Sequence, residues 1–451
     1  MSYAGSGSKR GAGDKGLRFS LFETLRLAWA DDDLRSRLQF ILLILAVYAI
    51  GVNIPVPVPG ISPTAIEDLV RNNPMFQIIN TIGGGAFKRI SIFALGLNPY
   101  IVASIILQVL TYGIPQWKEE MKEGGEYARR QQNRRTRFLT IGLCVFQGLG
   151  LLTAMGPALL QVQPLHRALI ILFWTAGSML LLWLGEQVSE RGVGNGISVL
   201  IFTGIVISLP AIVQGLFEGV TTGQVQIWQV VALIAIFFAT TWFIVLFTIS
   251  QRRIPIQHMR RNFGTKAMGG QVSYLPIAVA MAGVIPIIFA ITLVYLPAQF
   301  SAMFPTDSAP HQILTTIAEF MSPNFTTPKG YLGAAVYLLM IFFFTYFWTA
   351  LQYNVEDIAD NLKRGGSYIQ GIRPGKQTRD YLNGVVSRIT FIGAVFLAVA
   401  ALTQFILPVV IPQLARTIGL VAGTSLLIMV SVALETMRQL EANLITKQYE
   451  G

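Results

Sequence analysis

The chain reads as an all-α polytopic membrane protein with ten crossing helices. Three features predict this: long apolar stretches, scarce charge, and Lys and Arg gathered in alternate gaps between the stretches. The stretches lie near 38–52, 92–112, 138–155, 168–186, 197–213, 228–249, 275–297, 331–352, 388–408 and 417–436. An apolar helix of about 20 residues covers the ~30 Å hydrocarbon layer. At 53% hydrophobic and 13% charged, 451 residues hold too little polar surface for a soluble globule, whereas lipid accepts an apolar exterior.

The charge pattern orients the helices. Of 34 Lys and Arg residues, 28 lie in the two ends and in the gaps 113–137, 187–196, 250–274 and 353–388. The rest are Arg71, Lys88, Arg89, Arg167, Lys329 and Arg416. Basic residues near span ends stay cytoplasmic, so both termini are expected in the cytosol and the chain in the cytoplasmic membrane. Most of the net charge of +11 is this topology signal; the remainder is free to meet anionic lipid or an acidic partner. Residues 1–37 make a cytosolic tail in which 20–35 predict an amphipathic helix, with Leu21, Phe22, Leu25 and Trp29 on one face against the inner surface. Residues 437–451 form the other tail.

Enzyme chemistry finds little support. His166, His258 and His311 lie outside the spans, no zinc-type His-Glu-x-x-His pair exists, and Cys144 stands alone. Gly375-Lys376-Gln377-Thr378 lacks the spacing of a phosphate loop, and Gly192, Gly194 and Gly196 follow no strand. No cofactor and no metal is expected. The spans hold almost no Asp, Glu, Lys or Arg, and Glu186 and Glu435 sit at cytoplasmic ends, which argues against a proton-coupled carrier.

One region is irregular. Thr81 through Arg89 is too short and glycine-rich to cross as a helix, yet a true span follows at once. Irregular backbone at membrane depth survives only where protein buries it or water lines it. The segment either folds into a cavity on the outer side or is a plain external loop, and pattern alone favours the loop.

Several motifs then resemble a known family. Ser91-Ile92-Phe93-Ala94-Leu95-Gly96-Leu97-Asn98-Pro99-Tyr100-Ile101, the run from Gly185-Glu186-Gln187 to Asn195-Gly196-Ile197-Ser198, and Gly371-Ile372-Arg373-Pro374-Gly375 resemble the SecY family of protein-translocase channels. Gln251-Arg252-Arg253-Ile254, Met281-Ala282-Gly283-Val284-Ile285-Pro286 and Gly423-Thr424-Ser425 agree, in family order. The resemblance implies two inverted-repeat five-helix halves, 38–213 and 228–436, around an hourglass pore and joined by a hinge at 214–227. It implies a polypeptide channel that also releases hydrophobic segments sideways, and the partners SecE, SecG, the SecA ATPase, a translating ribosome and unfolded preproteins with signal sequences.

The resemblance also assigns residues. A pore ring falls on Leu97 and Ile101 of span two, Ile197 and Ile201 of span five, Ile288 of span seven and Ile428 of span ten. Branched aliphatic side chains in a constriction exclude water when empty and mould around any chain when full. A plug falls on Ile82, Gly83, Gly84, Gly85, Ala86, Phe87, Lys88, Arg89 and Ile90. A lateral gate between spans two and seven carries Gln108, Thr111 and Gln147, whose polar groups could bond across helices. Ala280 stands where many members carry Asn, and Pro99 and Pro286 are expected to let the gate helices bend. The basic loops 250–274, with Arg252, Arg253, Arg260 and Arg261, and 353–388, with Arg373, would receive the ATPase or ribosome.

Overall fold

A computed structural model describes residues 21–57, 80, 83–155, 163–258, 261–263, 266–268, 272–301, 304, 307–325, 327–411 and 423–450. The N-terminal helix α1 (Leu21–Ala30) ends sooner than expected. Asp31 explains the break: its carboxylate accepts the Asp33 and Leu34 N–H groups at 3.1 and 3.0 Å, starting α2 (Asp32–Val52) in a new direction. Leu25 and Trp29 share the exposed face, while Thr24 and Ala28 are buried against the protein.

Each of the ten apolar stretches carries a helix. After α2 come α3 (Asn98–Gly113), a surface helix α4 (Pro115–Glu123), α5 (Gly125–Ala154), α6 (Pro164–Arg191), α7 (Gly196–Thr221) and α8 (Ile227–Ile249). The chain bends by 102° between α3 and α4. The later long helices are α9 (Ile285–Ser301), α11 (Pro328–Gln352), α13 (Lys376–Val410) and α14 (Thr424–Glu450), with the short α10 (Ala309–Met321) and α12 (Val355–Arg364) between them. Among the described residues seven helices are individually long and apolar enough to cross a membrane; α3 with α4 would make an eighth, and α9 has 17 residues. Large side chains such as Leu42, Ile50, Leu172, Phe217, Trp242, Leu339 and Phe343 stand exposed, as lipid contact requires.

Three boundaries differ from expectation. The hinge at 214–227 is mostly helix: α7 runs to Thr221 and α8 starts at Ile227, leaving 222–226 as the connection. The helices α5, α13 and α14 also run well past their apolar portions, on polar, helix-compatible residues.

The third difference is a sheet. Residues 275–278, apolar enough to read as the start of span seven, belong to strand β4 (Val272–Ala278). It pairs antiparallel with β1 (Gln251–His258), from Gln251 opposite Ala278 to Gln257 opposite Val272. A hairpin of β2 (Arg261–Phe263) and β3 (Lys266–Met268) lies between them. On the other edge β1 takes up β5 (Ser367–Ile369), so the sheet order is β4-β1-β5. Ile254 and Ile256 alternate inward with period two, and Ile254 with Ile277, Val355, Ile369, Leu382 and Val385 closes a second small core. The two basic loops are therefore one structural unit, pinned also by the Tyr368 hydroxyl donating to Gln257 Oε1 at 2.9 Å.

Candidate functional site

Four helices bring the expected ring residues into the main core. Leu97, Ile101, Ile201 and Ile428 are buried, and Ile197 and Ile288 are half-buried and packed against the same cluster. None points out to the lipid-facing surface. Leu97 is the N-cap of α3 and not a helical residue, yet its carbonyl accepts the Ile101 N–H at 3.0 Å, so the pair still sits one turn apart.

Two contacts set their positions. A methyl group on Gly196 would lie 1.9 Å from the Gly185 carbonyl oxygen, so α6 and α7 meet backbone to backbone just before Ile197. Ser189 closes the corner by accepting the Gly196 N–H at 2.9 Å, and Asn195 caps α7 through the Ile197 and Ser198 N–H groups. Residues 192–195 of the Gly185–Ser198 motif are thus a helix corner. At the other end, Gln404 of α13 accepts the Thr424 hydroxyl at 2.7 Å and so holds the first turn of α14, one turn from Ile428. The Gln404–Thr424 bond escaped the sequence reading. The available signal was a lone amide inside the apolar stretch 388–408, since a buried polar group needs a partner.

The glycine-rich segment folds as anticipated for irregular backbone: 83–90 is a string of turns, not a helix. Gly84 (φ 68°) and Gly85 (φ 85°) take left-handed conformations open to glycine, while Ile90 (φ 47°) is a strained exception. Gly84 lies against α7 so closely that a methyl group there would stand 3.2 Å from the Gly204 oxygen and 3.6 Å from Ile207 Cβ. The segment consequently rests on the turn of α7 that follows Ile201. Ala86 and Phe87 are buried; Lys88 and Arg89 are exposed. Its far end is stitched down where Val56 donates to the Ile90 carbonyl (2.9 Å), Ile92 donates to Ile54 (3.1 Å) and Arg89 donates to Asn53. Ile82 lies outside the described residues.

The expected gate residues behave differently from their assignment. Helix α9 does contact α3 and α5. Gln108, however, donates to Ser104 on its own helix at 2.8 Å, and the Thr111 hydroxyl donates to the Leu107 carbonyl at 2.7 Å. Neither amide nor hydroxyl spans the seam, because an intrahelical acceptor four residues back is always within reach. Gln147 is buried on α5, and beside it Phe146 meets Phe300 of α9 edge-to-face at 4.7 Å. Pro99 and Pro286 do not kink their helices: each lies in the first turn, where no N–H partner exists to be lost. Ala280 sits in the turn before α9, where Gly283 has φ 60°.

On the sheet, Arg252 and Arg253 are exposed. Arg373 is exposed at the tip of a turn framed by Gly371 (φ 81°) and Gly375 (φ 104°), and its carbonyl accepts the Thr378 hydroxyl at 2.9 Å. Arg261 belongs to β2, and Arg260 lies outside the described residues.

The comparisons decide the family. The SecY family model matches residues 91–437. The protein translocase subunit SecY of Staphylococcus carnosus is 38% identical over 441 residues, covering 96% of this chain and 99% of that relative. The chain belongs to the SecY family. Its counterpart from Pseudomonas aeruginosa is 40% identical over 425 residues, covering 93% of each. A solved structure described as that of a protein conducting channel aligns with TM-score 0.69 and 21% identity over 92% of this chain and 94% of its own. Sec61 in a canine ribosome–channel complex aligns with TM-score 0.65, again at 21% identity, over 92% of this chain and 94% of its own. The SecY family is one of channel and translocase subunits, not of enzymes, and the helical architecture described above is its fold.

Proposed function

We propose that this SecY-family chain forms the pore through which unfolded polypeptides cross the cytoplasmic membrane and from which apolar segments pass sideways into lipid. The observation that carries this is the placement of six aliphatic side chains from α3, α7, α9 and α14 in or against one hydrophobic core, with 83–90 seated on the turn of α7 beyond Ile201. Such a constriction holds no particular sequence and no ion, because it offers neither charge nor fixed polar groups. Residues 83–90 act as the plug. Two backbone stitches and the Arg89–Asn53 contact hold its far end, and the Gly85 and Lys88 N–H groups donate to Asn80.

The seam of α9 against α3 is the lateral gate, and beside it the apolar Phe146–Phe300 contact joins α9 to α5. That favours reversible opening, since interhelical polar bonds in membranes contribute only ~0.6 kcal/mol each on average. Both termini and the β4-β1-β5 sheet lie in the cytosol, where Arg252, Arg253, Arg260, Arg261 and Arg373 meet the SecA ATPase or the phosphates of a ribosome. SecE and SecG complete the membrane complex, and anionic lipid surrounds its basic face. A rival reading as a small-solute carrier would require intramembrane charge or a polar substrate site. Reconstitution with SecE and SecA, followed by protease protection of a secretory precursor, tests the proposal; uptake of a small solute without protein import would favour the carrier.

A further inference from the structure

Helix α10 divides its residues among three environments, and only two of them are accounted for by the described protein and by water. Leu314, Ala318 and Met321 are half-buried toward the protein, with Met321 against the main core. Gln312, Thr316 and Glu319 form an exposed polar row. The third row is Ile313, Ile317 and Phe320, exposed by 61%, 41% and 40%. At about 100° per residue these spacings of four and three place the last row on a single face, roughly a quarter-turn from the polar row.

The helix cannot roll to hide that face. His311 Nδ1 lies 2.8 Å from the Ser301 carbonyl at the end of α9. At the other end the chain is jammed against the start of α11, where a methyl group on Gly330 would stand 2.0 Å from the Asn324 oxygen and one on Gly333 2.3 Å from the Ser322 oxygen. Lys329 pairs with Glu319 at 3.1 Å and lies over the Phe320 ring at 5.5 Å, marking the edge between charged and apolar surface.

We infer that α10 is an in-plane anchor whose Ile313–Ile317–Phe320 face enters the leaflet opposite the basic loops. The occupant follows from continuity: Tyr331 and Leu332, at the adjoining end of α11, are exposed, and the exposed face of that span continues through Leu339 and Phe343. A helix with one apolar and one polar face at the end of a span lies in the interface, its apolar side about 5–10 Å into the headgroup boundary. Because α10 is fastened to α9, any sideways movement of α9 drags this anchor through the headgroup layer. The inference rests on α9 and α11 being membrane spans, and its test separates the two.

In the complete translocase reconstituted into liposomes, with Cys144→Ser as background, single cysteines are labelled with an environment-sensitive fluorophore. Ile313→Cys, Ile317→Cys and Phe320→Cys are expected to be quenched several-fold more by shallow nitroxide-bearing lipid than by aqueous iodide. Gln312→Cys and Thr316→Cys are expected to show the reverse. Iodide reaching the apolar row as readily as the polar row would overturn the anchor. Shielding from both quenchers would also overturn it, by showing that a protein subunit covers the face. Phe343→Cys serves as reference: if lipid does not quench it, the span reading of α11 fails, and the anchor with it. For the unmodified chain, photoactivatable acyl chains should crosslink to peptides covering 309–321; labelling confined to other helices would contradict the proposal.

Discussion

A methyl group placed on Gly196 would stand 1.9 Å from the Gly185 carbonyl oxygen, so the α6–α7 corner tolerates no side chain at that point. Gly196→Ala must push the backbones apart and displace Ile197. Overpacking of this kind costs about 1–3 kcal/mol. Gly142→Ala, whose methyl would meet nothing within 4 Å, is the control. Thermal denaturation of the purified proteins should show a clear loss for Gly196→Ala and none for Gly142→Ala; equal stability of the two would dissolve the corner argument.

Ile428 is 3% exposed and one turn from the Gln404–Thr424 bond that positions it. Ile428→Asn places an amide where the constriction relies on dewetting. Planar-bilayer recordings should show raised resting conductance, and precursors with defective signals should be admitted. Conductance equal to the parent's would remove Ile428 from the ring.

The plug can be locked. An added Cβ at Gly84 would lie 3.6 Å from Ile207 Cβ, within the separation a disulfide uses. Gly84→Cys with Ile207→Cys should oxidise to an internal crosslink that arrests translocation until reductant restores it, after allowing for strain at φ 68°. Full transport by the crosslinked protein would show that 83–90 does not block the path.

Arg373 is exposed on the turn that precedes α13. Arg373→Glu should abolish ATPase-driven secretion in reconstituted vesicles while the chain still inserts and assembles. Unchanged secretion would leave the turn without a motor role.

Each apolar stretch announced a helix because lipid forces both length and composition on a span. The glycine-rich run at 83–85 likewise announced irregular backbone ahead of α3. Strand β4 was hidden because Leu275, Pro276, Ile277 and Ala278 are apolar and abut a real span; short apolar runs do not separate strand from helix. Gln108 and Thr111 looked like bonds across a seam because a sequence shows a polar side chain and not which acceptor is nearer. Pro99 and Pro286 looked like kinks because their meaning depends on where the helix begins. The fastening of α14 by Gln404 required knowing that α13 and α14 touch, a contact between residues 20 apart in sequence.

The central claim is that the six aliphatic residues line the polypeptide's path. A photoreactive amino acid placed in turn at Leu97, Ile101, Ile197, Ile201, Ile288 and Ile428, and at exposed Phe343 as reference, would be activated on a stalled translocation intermediate. The account predicts crosslinks to the arrested chain from the six positions and none from Phe343. Crosslinks absent from the six, or no stronger there than at Phe343, would contradict it.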